Sequence, residues 1–218
     1  VEGRGASGER ELRADAVMLT PQPRSQISLF ERSGLDSEAA RMKALPYQGA
    51  FTVLLGFERP LTDIYWINVL DGDAPFGAVI EHTNFAPMEP YGGPTVYLAS
   101  YPDPHDPLWE TGDEEVVEIF TAHLGRLFAG ARSNAIRWFK VARTREASLV
   151  YRCGVARLLP PRRAPVPGLY YSGMFRVYPK RPINLIGADA SATADTIAAD
   201  LAGRPAPPES WLPEQVDP

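Results

Sequence analysis

The stretch GLYYSGMFRVYPKRPINLIGADASATADTIAADL, residues 168–201, decides the fold of this 218-residue chain. The apolar run that begins at Leu169 predicts a short strand ending at Gly173. The alanine-rich stretch from Pro182 to Leu201 predicts a helix. Proline suits the first turn of a helix, because its missing N–H would have had no partner there. We therefore predict a strand, a loop and a helix.

The start of this helix has properties that suit an electron-rich ligand. The amides of Ile183, Asn184 and Leu185 are expected to point out of the helix end without partners, and that end carries partial positive charge. Small residues in the next turn, Gly187 and Ala188, would let a flat ligand approach closely. A flavin edge or a phosphate would suit this position. An alanine-rich helix buried against a sheet, with no ligand, is the alternative.

The rest of the chain predicts an antiparallel sheet between two flanking segments. Strands without intervening helices, which indicate antiparallel pairing, are expected in residues 47–57, 64–69, 76–84 and 95–101. Residues 12–20 predict a further strand and residues 24–46 a broken helix. A second helix is expected to begin at a capping box formed by Thr111 and Glu114. The predicted fold class is α+β.

A glycine motif near the start of the chain raises the question of nucleotide binding. Residues 3–8, GRGASG, match the G-x-G-x-x-G spacing of a dinucleotide-binding turn. That turn works only between a strand and a helix. Here Val1 and Glu2 alone precede the glycines, and an apolar strand follows them. We therefore interpret the motif as a hairpin loop.

Composition and charge exclude several classes of protein. The net charge of −5 and the pI near 5.3 argue against a nucleic-acid partner. No apolar run approaches the roughly 20 residues of a membrane helix, so we expect no transmembrane segment and a cytoplasmic location. The single cysteine, Cys153, excludes an internal disulfide, and the histidines lack metal-ligand spacing, so we predict no metal site. The chain has no initiator Met, and we expect it to be a piece of a longer protein.

Residues 168–201 resemble the C-terminal part of FAD-dependent oxidoreductases of the flavin-containing amine oxidase and protoporphyrinogen oxidase type. The resemblance rests on residues 168–174, Tyr178-Pro179, Arg181 and Asn184. Earlier stretches that are similar to the same family are residues 14–21, 81–84, 91–93 and 96–98. The chain departs from the family at Met174, where an acidic residue is common, and at Pro182, where the family has glycine.

The resemblance implies a particular division of the chain. An antiparallel-sheet substrate-binding domain is expected in residues 40–145. Residues 1–39 would supply a returning strand of an α/β FAD-binding domain, and residues 146–202 its C-terminal helix. Residues 203–218 would form a proline-rich tail. The N-terminal segment of the FAD-binding domain would be missing from this chain and would be its partner in the parent protein.

The resemblance also implies a function. FAD would remove a hydride from a C–N or C–C bond of a small organic substrate, and this chain alone would be inactive. No catalytic residue is assigned, since the cofactor does the difficult step. Expected flavin contacts are Gly173, Met174, Arg181, Ile183, Asn184 and Leu185. Expected substrate contacts are Tyr65, Trp66, His82 and Asn84.

Alternatives remain open at this point. The aromatic pair Tyr65-Trp66 would equally suit a sheet core, and His82 and Asn84 would suit ordinary hydrogen bonds at a strand end. The whole chain would also suit a non-catalytic binding module that has lost the cofactor. A further alternative is a mutase-like enzyme, in which the flavin acts as a nucleophile without net oxidation.

Two groups of charged or titratable residues are interpreted as solvent-facing. Arg157, Arg162 and Arg163 would suit the binding of an anionic substrate, but the nearby prolines favour a solvated loop. His123 lies on the helix that follows Thr111, and we expect it to face water.

Overall fold

The computed structural model describes residues 2–5, 8–11, 13–178 and 182–206. The chain divides into two compact units. The first, which we call the terminal unit, comprises Val1–Pro46 and Leu149–Pro218. The second, which we call the sheet unit, comprises Tyr47–Ser148.

The helices and strands follow one another along the described residues as an α+β fold. They are β1 (Glu2–Gly5), β2 (Gly8–Glu11), β3 (Val17–Leu19), α1 (Pro23–Arg32), α2 (Asp36–Ala44), β4 (Tyr47–Phe57), β5 (Trp66–Asn68), β6 (Ala78–Glu81), β7 (Thr95–Ser100), α3 (Asp113–Leu127), β8 (Ile136–Leu149), β9 (Leu169–Tyr171) and α4 (Ile183–Leu201). The α+β class predicted from the sequence is confirmed. No helix among these described residues is both long enough and apolar enough to cross a membrane.

The sheet unit is built on a five-stranded sheet with the order β5-β6-β7-β4-β8. The pairs β5–β6, β6–β7 and β4–β7 are antiparallel, as the absence of helices between these strands predicted. Alternate side chains of β4, from Phe51 to Phe57, are buried because successive residues of a strand point to opposite faces. They pack against Val116, Phe120 and Leu124 of α3. One face of the sheet therefore forms the core.

Helix α3 begins differently from the predicted capping box. Gly112 is the N-cap residue, and no side chain in the described ranges caps the helix. Thr111 instead donates its hydroxyl hydrogen bond to the carbonyl oxygen of Pro107, at 2.9 Å. Three consecutive acidic residues, which begin at Asp113, occupy the first turn and favour the positive end of the helix dipole.

His123 of α3 is buried, with 1% of its surface exposed, so the prediction that it faces water is wrong. Its Nε2 lies 3.1 Å from Oδ2 of Asp71. Its ring meets Phe76 edge to face, with 5.7 Å between the ring centres. A polar residue on the apolar side of a helix is tolerated where a hydrogen-bond partner reaches it.

The terminal unit contains the parallel pair β3–β9, in which Val17 lies opposite Leu169 and Leu19 opposite Tyr171. Helix α4 spans the residues that the sequence predicted. It ends where Gly203 adopts a φ of 63°, a left-handed conformation that glycine adopts without strain. The amide of Arg204 then donates to the carbonyl oxygen of Ala199, which closes the helix.

The glycine motif of residues 3–8 lies in a hairpin, as predicted. Strands β1 and β2 pair antiparallel, with Gly5 opposite Gly8. Strand β2, and not a helix, begins at the last glycine of the motif, so the physical context of a phosphate-binding turn is missing. Residues 6–7 of the motif and residues 207–218 of the predicted tail lie outside the described residues.

Candidate functional site

The loop after β9 is held in a conformation that requires glycine. Gly173 has a φ of 139° and ψ of −178°, a region that other residues rarely enter. A Cβ atom at this position would lie 3.3 Å from the carbonyl oxygen of Thr20 and 3.2 Å from the ring of Phe175. The predicted flavin contacts Gly173 and Met174 therefore lie on a tightly packed turn.

Asp189 of α4 connects this turn to the helix. Its Oδ2 accepts hydrogen bonds from the hydroxyl of Ser172 at 3.0 Å and from the amide of Gly173 at 3.3 Å. Its Oδ1 accepts from Nε of Arg176 at 3.4 Å. Asp189 is 5% exposed and Arg176 is fully buried. A buried carboxylate needs such donors to compensate for lost hydration.

Arg162 also belongs to this buried group, so the prediction that it lies on an exposed loop is wrong. It is 1% exposed, and its Nε donates to the hydroxyl of Thr193 at 3.3 Å. The proline-rich segment folds back onto β9, because the amide of Tyr171 donates to the carbonyl oxygen of Arg162 at 2.8 Å. That pairing carries the Arg162 side chain inward.

Arg163 points the other way and forms a two-point ion pair with Asp200 of α4. Its Nε and Nη2 donate to the two carboxylate oxygens at 2.7 and 2.8 Å. Tyr170 donates its hydroxyl to the same carboxylate at 2.8 Å. The hydrogen bonds from Arg163 and then from Tyr170 lower the pKa of Asp200 to about 2.

The start of α4 matches the prediction in part. Within the described part of the chain, the amides of Ile183 and Asn184 have no acceptor, and Ile183 is 86% exposed. The amide of Leu185 is not free, because it donates to the carbonyl oxygen of Pro182 at 3.0 Å. A short 3₁₀-type bond of this kind often tightens a helix end. Arg181 lies outside the described residues.

A cavity of about 230 Å³ borders the first three turns of α4. Its lining consists of Arg162, Val177, Tyr178, Leu185, Ala188, Asp189 and Ala192. The four α4 residues follow the spacing of a single helix face. Of the predicted flavin contacts, Leu185 lines the cavity. Gly173 does not line it, but its amide donates a hydrogen bond to Asp189, which does. Typical ligand pockets enclose roughly 300–1,000 Å³, so this cavity has room for part of a large cofactor.

A second cavity in the terminal unit, of about 380 Å³, lies elsewhere, beside β3 and α1. Its lining is mostly apolar and includes Val17, Leu19, Leu29 and Phe30. None of the predicted flavin contacts that the structure describes lines it. The volume of this second cavity is therefore a weaker indication of a cofactor site than the amides and small residues of α4 beside the first cavity.

The face of the five-stranded sheet opposite its core carries an apolar row. Trp66 lies opposite Ile80, Ile80 opposite Tyr97, and Tyr97 opposite Leu54. Leu54 points away from the core because its neighbours in β4 point into it. These side chains are partly exposed. The row offers a flat apolar surface four strands wide.

Two of the predicted substrate contacts lie together near this row, at its β5 end. The rings of Tyr65 and Trp66 are 6.3 Å apart, and Tyr65 lies 5.0 Å from Phe85. All three rings are exposed by more than a third. The alternative of a sheet core does not apply to this pair, because the core lies on the opposite face.

The polar pair among the predicted substrate contacts forms the hydrogen bonds of a strand end. Nε2 of His82 lies 2.8 Å from the hydroxyl of Tyr91. The amide nitrogen of Asn84 donates to the carbonyl oxygens of Thr62 and Ile64 at 3.0 and 3.2 Å. Asn84 therefore supports its own loop, whereas His82 presents a hydrogen-bonded His–Tyr pair. Within the described residues, no group of three His, Cys, Asp or Glu side chains is arranged to hold a metal ion.

Sequence reasoning missed Asp189, Arg176 and Tyr97. Asp189 lies four residues after Leu185, on the same face of the helix, and this spacing was a usable signal. Arg176 carried no such signal, because its burial depends on contacts far away in the sequence. Tyr97 was predicted in a strand, but its face is fixed by the pairing register.

Comparison with known proteins finds solved structures that share this fold. No family model matches the chain, and no curated protein matches it. Similar solved structures include a protein from Exiguobacterium sp. 255-15 provisionally assigned as a protoporphyrinogen oxidase, with a TM-score of 0.66, 17% identity and coverage of 89% of this chain and 43% of that chain. Reduced UDP-galactopyranose mutase has a TM-score of 0.62 and 12% identity, with coverage of 90% of this chain and 43% of that chain.

A third similar structure is an oxidoreductase from Methanosarcina mazei, with a TM-score of 0.54 and 16% identity over 75% of this chain and 38% of that chain. The chain thus spans less than half the length of each of these structures. The resemblance stated from the sequence is confirmed at the level of the fold. The chain has the fold of part of these proteins, the one provisionally assigned as a protoporphyrinogen oxidase and the reduced UDP-galactopyranose mutase.

Proposed function

We propose that this chain is part of a FAD-dependent oxidoreductase of the amine oxidase and protoporphyrinogen oxidase type, and that FAD contacts the start of α4. The cavity beside α4 is the observation that carries this proposal. Leu185, Ala188 and Ala192 give the cavity a smooth apolar side. Gly187, in the same turn, adds no side chain, and nothing in the described part of the chain lies within 4 Å of the place that its Cβ would take.

The residues present fit such a cofactor. The amides of Ile183 and Asn184 lie at the positive end of a 19-residue helix and have no acceptor among the residues that the structure describes. They would hold an electron-rich ring edge, and Gly173, Met174, Leu185 and Arg181 would complete the contacts. Bound FAD would supply the acceptor for a hydride from a C–N or C–C bond, so no side-chain acid or base is obligatory. The work of this chain is to bind and orient.

Part of the cofactor would need residues from outside this chain. The cavity is smaller than a pocket for a whole dinucleotide, and the similar structures are more than twice as long. The parallel sheet of the terminal unit has just two strands among the described residues, whereas parallel sheets are usually larger and covered on both faces. We propose that a further FAD-binding segment of the parent chain completes this unit, and that this chain alone is inactive.

Substrate binding is assigned to the sheet unit, within the predicted range 40–145. Tyr65, Trp66 and Tyr97 offer apolar and aromatic surface for a small organic substrate. The hydrogen-bonded pair of His82 and Tyr91 offers a polar contact beside it. Asn84 contributes by fixing the loop of residues 62–64. The flanking ranges 1–39 and 146–202 would belong to FAD binding.

A mutase-like reaction is the second candidate. The likeness to reduced UDP-galactopyranose mutase, at a TM-score of 0.62, favours it as a distinct possibility. Such a reaction has no net oxidation. Turnover by the parent protein in the absence of any electron acceptor would support the mutase, and turnover that depends on an acceptor would support the oxidoreductase.

The test uses the parent protein that contains this chain. The wild type is expected to hold stoichiometric FAD, seen in the visible absorption spectrum and after release by denaturation. Ala188→Leu would fill the cavity side of α4 and is expected to lower the FAD content at least severalfold. Ala194→Leu is the matched control, since this exposed alanine of the same helix does not line the cavity.

The proposal fails if the wild type binds no flavin when FAD is supplied, which would favour the non-catalytic binding module. It also fails in its placement of the cofactor if both alanine variants hold FAD equally well. A loss of FAD in Ala188→Leu alone, with both variants equally stable, supports it.

A further inference from the structure

We propose that Asp189 is the positioning residue of the cofactor site: its buried carboxylate fixes the Ser172–Arg176 turn against α4 and so sets the side of the cavity. This inference rests on the proposed function, because it assumes that flavin occupies the cavity. It adds a residue that lies in the middle of the second turn of α4, away from the helix start.

The first observation is the number of donors that converge on one carboxylate. Ser172 and Gly173 donate to one oxygen at 3.0 and 3.3 Å, and Arg176 donates to the other at 3.4 Å. Nη2 of Arg162 lies 3.9 Å from that second oxygen. A carboxylate offers two oxygens that accept hydrogen bonds, so these donors keep their partner only while the Asp189 side chain holds this orientation.

The second observation is that the turn needs an external restraint. The φ of 139° at Gly173 lies in a sparsely populated region, and glycine is the most flexible residue in the unfolded and folded chain. Conformations of this kind persist where the surroundings over-determine them. Backbone hydrogen bonds from the amide of Ser172 to Leu19 and from the amide of Arg176 to Gly173 hold the two ends of the turn. Asp189 adds the side-chain restraint at Gly173 itself, because it accepts from both the Gly173 amide and the Ser172 hydroxyl.

The third observation is that the same side chain lines the cavity. Asp189 lies between Ala188 and Ala192 on the cavity wall, with Leu185 one turn earlier. It therefore touches the turn on one side and the cavity on the other. A residue in this place transmits the position of the turn to any ring held in the cavity without touching the reacting atoms.

A purely structural ion pair is the competing explanation, since Asp189 also faces two buried arginines. The variant Asp189→Asn separates the two explanations. Asparagine has nearly the same side-chain volume as aspartate, but one of its two terminal groups is an NH₂ donor. In one orientation this NH₂ faces Arg176, and in the other it faces the amide of Gly173, so a donor meets a donor in both. The turn loses its restraint while the cavity keeps its size.

The experiment compares Asp189→Asn and Ser172→Ala with Thr196→Val in the parent protein. Ser172→Ala is the milder variant, because it removes one of the donors to Asp189. It keeps the inference testable if Asp189→Asn does not fold. Thr196 is the control: it is a fully buried α4 residue whose hydroxyl donates to the carbonyl oxygen of Ala192 and does not contact the turn. The readouts are thermal stability, hydrogen exchange at the amides of Gly173 and Met174, and the FAD dissociation constant.

We expect Asp189→Asn to speed exchange at Gly173 and to weaken FAD binding, each by about tenfold, as the loss of a hydrogen bond to a charged group typically does. Ser172→Ala should shift both in the same direction by a smaller factor. Thr196→Val should leave the exchange rate and the FAD affinity unchanged, even if it lowers the thermal stability as much as Asp189→Asn does. The inference is overturned if Asp189→Asn and Ser172→Ala leave exchange and affinity as in the wild type, or if Thr196→Val reproduces both effects.

The failure of the proposed function gives a different result. The wild type would then bind no FAD, and the assignment of Asp189 to a cofactor site would fall with it. The exchange data would still decide the rest: faster exchange at Gly173 in Asp189→Asn alone shows that the carboxylate fixes the turn, and unchanged exchange shows that it does not.

Discussion

The hydroxyl of Tyr171 donates a 2.7 Å hydrogen bond to Oε2 of Glu38, and the two residues are 133 positions apart in the chain. Both side chains are buried. The bond joins β9 to α2 and so connects the two separate stretches that form the terminal unit. Burial, followed by the hydrogen bond to Glu38 and its charge, raises the pKa of Tyr171 well above its usual value.

Removal of this hydroxyl is expected to be costly. In Tyr171→Phe the buried carboxylate of Glu38 loses a donor that water does not readily replace. A hydrogen bond to a charged group contributes about 1.5–3 kcal/mol, so the free energy of unfolding should fall by that amount. Urea denaturation of wild type and variant measures the difference.

The neighbouring Tyr170 provides the matched control. Its hydroxyl donates to Asp200 at 2.8 Å. Both carboxylates also pair with an arginine, but the Asp200 side chain is 29% exposed and that of Glu38 is 2% exposed. Tyr170→Phe should therefore cost less than about 1 kcal/mol. Equal losses in the two variants would contradict the view that burial of Glu38 makes the difference.

The same bond predicts a dependence of stability on alkaline pH. Because the folded pKa of Tyr171 is raised, its contribution is complete below the unfolded value of about 10 and is lost as the pH rises above it. The free energy of unfolding should therefore fall as the pH rises from about 9 to about 11, and most of the fall should come above pH 10. The fall should be steeper in the wild type than in Tyr171→Phe. Denaturation curves across this range test it. Identical slopes would show that the tyrosine titrates normally.

Asp200 predicts the opposite behaviour in acid. Its pKa is lowered to about 2 by Arg163 and Tyr170, so its contribution is present above the unfolded value of 3.8 and is lost as the pH falls toward 2. A carboxyl NMR titration should place the midpoint of Asp200 near 2. Asp200→Asn should reduce the loss of stability between pH of about 4 and 2. A midpoint near 4 would mean that the ion pair does not form in solution.

The sequence predicted those parts of the fold in which local pattern and burial agree. Residues 47–57 are rich in β-branched and aromatic side chains, and β4 spans this range. The alanine-rich stretch predicted α4, and Gly203 marks its end. The glycines of residues 3–8 were interpreted from their context, and their hairpin is confirmed.

Predictions failed where contacts distant in sequence determine the environment of a residue. Arg162 was expected in water because prolines surround it, but pairing with β9 turns it inward. His123 was expected on an exposed helix face, but Phe76 and Asp71 meet it there. In the candidate site, the amides of Ile183 and Asn184 followed from helix geometry. Helix spacing also puts Asp189 on the face of Leu185, but its hydrogen-bond partners Ser172, Gly173 and Arg176 could not be predicted, since they lie beyond a loop.

Trp138 lies directly against Gly56, the second-last residue of β4. A Cβ atom at residue 56 would lie 2.1 Å from Nε1 of Trp138, so the indole packs where a side chain would otherwise stand. Gly56 follows Leu55, which faces the core, so the contact lies on the apolar face opposite it. Glycine within a strand is normally unfavourable, and here the indole covers it.

Gly56→Ala is therefore expected to displace Trp138. The free energy of unfolding should fall by about 1–3 kcal/mol, the usual cost of an added group in a packed site. The fluorescence of Trp138, isolated by subtraction of a Trp138→Phe spectrum, should shift to longer wavelength because the indole moves into water. Gly77→Ala is the control, since nothing lies within 4 Å of a Cβ atom there. A stable Gly56→Ala protein with unchanged Trp138 emission would contradict this prediction. It would show that the indole does not pack on residue 56 and is not part of the apolar face.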